Sequence, residues 1–252
     1  MWKKIRVFLL LVVLVVVGIN AWRDYHQDWK QPIIVQLHPI NADGQASTER
    51  YIQQLSAQDL KGMQSYLQDS SAKYPGRPIT VYFQLGRQLT QIPPKVPEEA
   101  SVLDTIVWSL KFRFYAWRQH ENQDGAATLT LYLNYYDPNI QSVLKHSTAL
   151  ENGRIGSIHL FASKQQSLQN QVIIVHELLH AFGAKDKYDL VTGLPAYPNG
   201  YANPDQKPLY PQSMAEIMGG HIPRTESKSV MPEYLSQTLV GPITAKEVGW
   251  ID

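Results

Sequence analysis

Residues 175–189 read VHELLHAFGAKDKYD, and they complete an apolar run that begins at Val172. Val172, Ile173, Ile174, Val175, Leu178, Leu179 and Phe182 are numerous enough to predict a buried helix. Within it His176 and His180 stand four positions apart, so their imidazoles share one helical face, one turn from each other. Two rings placed in this way can bind one zinc ion. Glu177, beside the first of them, can then take a proton from a water on that ion. A third ligand farther along cannot stay on the same straight helix. The chain must turn back, and Gly183 can take the left-handed backbone that allows it. Asp186 then offers a carboxylate oxygen. Two His and one Asp leave the fourth tetrahedral position open, as catalytic zinc requires, whereas a structural site is closed by four protein ligands.

Upstream of this helix, strand-like runs exchange with helical periods. Residues 33–37 (IIVQL) read as a short buried strand, and residues 47–68 as a helix with Ile52, Leu55, Met63 and Leu67 near one face. Residues 79–85 alternate, with Ile79, Val81, Phe83 and Leu85 on one side and Thr80, Tyr82 and Gln84 on the other. A link containing Pro93, Pro94 and Pro97 leads to a second helix. Its stripe of Leu103, Ile106, Val107, Leu110, Phe114 and Trp117 is expected to face the core. Residues 127–135 alternate again through Leu129, Leu131 and Leu133, and residues 155–161 form a last short strand before a helix starting near Ser167. Helix-length crossovers predict an α/β fold with a mainly parallel sheet, in which the last strand is an antiparallel edge.

The segment HELLHAFGAKD, residues 176–186, resembles the elongated zinc motif of the metzincin metallopeptidases. It is similar to the variant in which Asp replaces the usual third His, as in the snapalysin-type secreted bacterial proteases. The resemblance implies a metzincin-like N-terminal lobe, an active-site helix, and an irregular C-terminal lobe beginning near residue 184. It also implies that an edge strand, near residues 155–161, pairs with an extended substrate backbone. A methionine turn beneath the zinc site falls on Met218, with Met214 the weaker candidate, and residues 242–250 (PITAKEVGW) supply the closing helix. Two features depart from the family. The stretch between Asp186 and Met218 is rich in Tyr and Pro, and Met218 is followed by Gly-Gly-His where several metzincins have Tyr. His221 and Asp189 therefore stand beside Asp186 as candidate third ligands, and Tyr188 as a candidate donor to an oxyanion.

Composition narrows the chemistry further. Without cysteine there are no disulfides, thiolate nucleophiles or cysteine-held metals. The 23 basic and 22 acidic residues give a net charge of +1, which is no footprint for nucleic acid. At the N-terminus, Lys3, Lys4 and Arg6 precede an apolar run over residues 7–19, followed by Asn20, Ala21 and Trp22. Residues 1–30 accordingly read as a signal-anchor and tether with the basic end in the cytoplasm. As a helix, residues 7–22 would span roughly 24 Å, a little short of a bilayer core of about 30 Å. Cleavage as a signal peptide would have to use Ile19 and Ala21, a poor pair because Ile19 is bulky, and would leave a secreted protein. Residues 31–252 are then a catalytic domain facing away from the cytoplasm.

The expectation is a membrane-anchored zinc metalloendopeptidase with one catalytic Zn2+, acting on protein or peptide substrates. Two other readings stay open: a non-catalytic, zinc-stabilised binding protein on the same tether, and a zinc hydrolase acting on a non-peptide amide. The first has no use for a base at Glu177.

Overall fold

The computed structural model describes residues 27–251 apart from 76–77, 98–100, 121–126, 145–146 and 151–153, together with residues 5–8, 11–12, 15, 18 and 22. The expected N-terminal membrane helix thus falls largely outside the described residues. Among the described residues, no helix is long and apolar enough to cross a membrane.

The chain runs β1 (Ile33–Asn41), α1 (Ala46–Ile52), α2 (Lys61–Ser71), β2 (Val81–Leu85), α3 (Val102–Gln119), β3 (Leu129–Tyr136), β4 (Thr148–Ala149), β5 (Ile155–Phe161) and α4 (Ser167–Ala181). The sheet order is β2-β1-β3-β5-β4. Strands β2, β1, β3 and β5 are mutually parallel, and β4 alone pairs antiparallel, through Thr148–Ser157 and Ala149–Gly156. The mainly parallel α/β sheet is therefore as the sequence predicts. The antiparallel edge is not residues 155–161, however. Those residues pair in parallel with β3, and the edge is the two-residue β4 in the loop before them. So short a strand has no alternation to read.

Both faces of the sheet are covered, as a parallel sheet requires. On one face Ile33, Val35, Leu37, Leu131, Leu133, Ile158 and Leu160 meet Met63 and Leu67 of α2 and Val172, Val175, Leu178 and Leu179 of α4. On the other, Ile40 and Tyr132 meet Trp108, Phe112 and Tyr115 of α3. The helix expected over residues 47–68 is two helices. Ser56 and Asp59 form a capping box at the break: the Ser56 N–H and hydroxyl each donate to the Asp59 carboxylate at 2.8 Å.

The stripe expected to bury α3 points the other way. Leu103 is 73% exposed, Leu110 62% and Trp117 71%, with Ile106, Val107 and Phe114 also exposed. This helix is apolar on two sides, and periodicity selects the wider stripe. Hydrogen bonds decide for the aromatic side. Trp108 Nε1 donates to Pro94 O (3.0 Å) and the Tyr115 hydroxyl to Gln91 O (2.6 Å), which pins that side to the proline-rich link.

Beyond Ala184 regular structure becomes sparse. β6 (Ala215–Glu216) pairs with β9 (Thr238–Leu239), β7 (Ile222–Thr225) pairs with β8 (Lys228–Val230), and α5 (Pro242–Glu247) closes the chain. Trp29, just ahead of β1, is seated on this region. Its indole N–H donates to Val248 O (2.8 Å) and its ring lies 4.8 Å from that of Phe182.

Candidate metal centre

Helix α4 ends where the sequence requires a turn. Gly183 has φ of +99°. The Gly183 N–H donates to His180 O (2.9 Å) and the Ala184 N–H to Leu179 O (3.0 Å). These two bonds make a Schellman stop, which a side chain at residue 183 would strain. The turn serves the site directly, because Ala184 O, which it brings round, lies 2.7 Å from His180 Nδ1. His176 Nδ1 has a matching partner in Ile217 O at 2.9 Å. A carbonyl only accepts, so each Nδ1 carries the proton and each Nε2 presents a lone pair.

Those lone pairs converge. His176 Nε2 and His180 Nε2 are 3.1 Å apart, and Asp186 Oδ1 lies 3.3 Å from the first and 3.0 Å from the second. His176, His180 and Asp186 form a group that can hold a metal ion. Zinc bonds of about 2.0–2.1 Å in tetrahedral array place ligand atoms roughly 3.3 Å apart, so the observed triangle fits. Two imidazole lone pairs and a carboxylate facing each other at these distances repel unless a cation or a proton lies among them. Burial opposes charge on His176, yet the Asp186 carboxylate, Glu177 and the Ile217 carbonyl together hold its pKa above the ordinary value. Burial likewise opposes charge on Asp186, but hydrogen bonds to both rings and their charge keep its carboxyl well below the usual carboxylate range.

Of the three candidate third ligands, only Asp186 joins the cluster. Asp189 is committed to its own turn, where one oxygen accepts from the Val191 and Thr192 N–H groups and the Thr192 hydroxyl. His221 lies close enough for burial and the charge of His176 to lower its pKa, but its Nδ1 is buried without a hydrogen-bond partner.

Glu177 lies beside the triangle and is buried. Its carboxylate accepts from the Ala149 N–H of β4, and Oε2 is buried without a partner. The Leu150 N–H bonds inward to Ile155 O, so that of Ala149 points to the open side of the sheet. Burial raises the Glu177 pKa, which suits a group that must accept a proton. Tyr188 flanks the cluster. Its ring stacks 6.5 Å from that of His176, and burial together with the Asp186 carboxylate pushes its hydroxyl up to about 12, so it remains a donor. Thr148, Ala149, Glu177, His180, Asp186 and Tyr188 line a cleft of about 370 Å³.

Met218 is fully buried in the turn Ile217–Gly219, the turn that supplies the carbonyl for His176. Two further carboxylates hold this region together, and no motif marks either in the sequence. Glu216, only 1% exposed, accepts from the Met218 and Gly219 N–H groups through Oε2 and from the Gly241 N–H and Thr244 hydroxyl through Oε1. Glu247 of α5 accepts from the Lys185 N–H (3.0 Å) and the buried Lys187 ammonium (2.6 Å), so the residues on either side of Asp186 are fixed to the last helix.

Glu216→Ala is expected to destabilise the fold by about 3 kcal/mol or more, because three backbone N–H groups lose their buried acceptor at about 1–3 kcal/mol each. Denaturant unfolding of the variant beside Glu216→Gln, which keeps an acceptor, measures it. A loss below about 1 kcal/mol for the alanine variant would show that water replaces the carboxylate.

No protein-family model matches the chain. No curated protein matches it either.

Proposed function

We propose that this protein is a zinc-dependent metalloendopeptidase of metzincin type, held to a membrane by its N-terminal segment with the folded domain outside the cytoplasm. The observation that carries the reading is the locked pair of imidazoles. Both rings are fixed at Nδ1 by backbone carbonyls, both Nε2 atoms converge with Asp186 Oδ1, and a buried carboxylate with a free oxygen stands beside them. Zinc held by His176, His180 and Asp186 would supply a Lewis acid and lower the pKa of a water that it binds.

The remaining work falls to this chain's own groups. Glu177 accepts the proton of the attacking water and passes it to the departing amine nitrogen. The Tyr188 hydroxyl, kept protonated, donates to the oxygen on which negative charge develops. Glu177 takes the outward N–H of Ala149, so the proton acceptor stands at the edge where an extended peptide would pair with β4.

The test is elemental mass spectrometry of the purified full-length chain together with cleavage of casein. The expected result is one zinc per chain, loss of cleavage on removal of the metal by a chelator, and recovery when zinc is returned. Bound zinc with no cleavage of casein or other peptides would move the reading to the non-catalytic binding protein or to hydrolysis of a non-peptide amide. Absence of zinc after reconstitution would end the metal reading.

A further inference from the structure

We propose that α3 lies along a lipid surface, with its outward stripe in the acyl-chain boundary and its flanking cations among anionic headgroups. The proposal rests on the N-terminal anchor proposed above for its proximity to a membrane, and on α3 itself for its chemistry. Leu103, Ile106, Val107, Leu110, Phe114 and Trp117 recur at helical spacing along one side of the helix, and all are exposed. The ridge from Leu103 to Trp117 is roughly 21 Å long at the helical rise. So continuous an apolar ridge on a soluble surface marks a contact with something apolar.

Charge identifies the occupant. Lys111, Arg113 and Arg118 border the ridge, all exposed, and the one acid on the helix, Asp104, is engaged by Ser101 in the N-terminal capping box. Leu, Phe and Trp on one face with Lys and Arg at its margins are the composition of a helix that lies in a bilayer interface. Anionic headgroups complement those margins. A second copy of the chain does not: two-fold pairing of the ridges would bring Lys111 and Arg113, near the helix midpoint, against their own counterparts. The tether also limits the distance. Trp29 is docked on the domain, and the seven steps back to Trp22 reach at most about 25 Å. An anchored domain is therefore kept within reach of the bilayer surface, so the ridge meets lipid without a search through bulk solvent.

The chain has no cysteine, so single labels can be placed cleanly. The full-length Leu110→Cys chain, carrying an environment-sensitive fluorophore, is reconstituted into phosphatidylcholine–phosphatidylglycerol vesicles. Val191→Cys, on an exposed loop outside α3, is the reference. The expected result is a blue-shifted Leu110 label, quenched several-fold more by doxyl-labelled lipid than the Val191 label and shielded from iodide. Quenching should weaken when phosphatidylglycerol is omitted. A chain that does not float with the vesicles would overturn both the anchor and this proposal. A floating chain whose Leu110 label is as open to iodide as that at Val191 would overturn the proposal alone. So would a label shielded from iodide yet untouched by doxyl lipid, which would assign the ridge to a protein contact.

Discussion

Glu177→Gln is expected to retain one zinc per chain and to lose about 100- to 10,000-fold in peptide cleavage, the span that general-base catalysis commonly contributes. The amide preserves size and shape and can still accept from the Ala149 N–H through its carbonyl. What it lacks is a carboxylate oxygen able to take a proton, the role that the unpartnered and buried Oε2 is placed to fill. Because the side chain is not a member of the His176–His180–Asp186 triangle, metal content should not move. Turnover of a peptide substrate, measured with zinc content on the same preparation, separates the two effects. Near-wild-type cleavage would remove Glu177 from the mechanism. A parallel loss of zinc would show instead that the substitution disturbs the ligand geometry.

Asp186→Ala is expected to weaken zinc binding by roughly 100-fold or more. Zinc sites with four protein ligands gain about 10–16 kcal/mol, so one ligand accounts for about 3 kcal/mol. Asp186 is the only carboxylate among the described residues that meets both Nε2 atoms, and the turn carrying it is fixed at Lys185 and Lys187 by Glu247. Asp189→Ala should leave affinity nearly unchanged, because that carboxylate is spent on Val191 and Thr192. His221→Ala is the sharper control. Competition titration against a chromophoric chelator reads all three variants. Firm zinc retention in Asp186→Ala together with loss in His221→Ala would transfer the third ligand to His221.

Much of the donor arrangement is legible because it is local. His176 and His180 are related by the helical repeat, and a glycine after such a helix predicts the turn that presents Asp186. The parallel sheet is legible for a similar reason, since period-two and period-four segments alternate along the chain. What escaped the sequence depends on partners far away in it. The apolar sides of α3 cannot be ranked without the Pro94 and Gln91 carbonyls that hold Trp108 and Tyr115. The edge strand β4 is defined wholly by its neighbour β5. Glu216 and Glu247 look like any surface acids until the turn around Met218 and the loop around Asp186 fold against them. Tyr188 stacks against His176, and Met218 lies in the turn whose Ile217 carbonyl holds that ring.

The clamps on the two imidazoles differ greatly in reach. His180 is set by a carbonyl four residues on, His176 by one that lies 41 residues on. As the chain leaves the ribosome, the His180 half of the cluster can therefore form once α4 and its closing turn exist, while the His176 ring stays free to rotate until the segment around Ile217 has docked. On the zinc reading proposed above, tight capture of the ion would thereby be deferred to the end of assembly, because a partly synthesised chain has an incomplete set of fixed ligands.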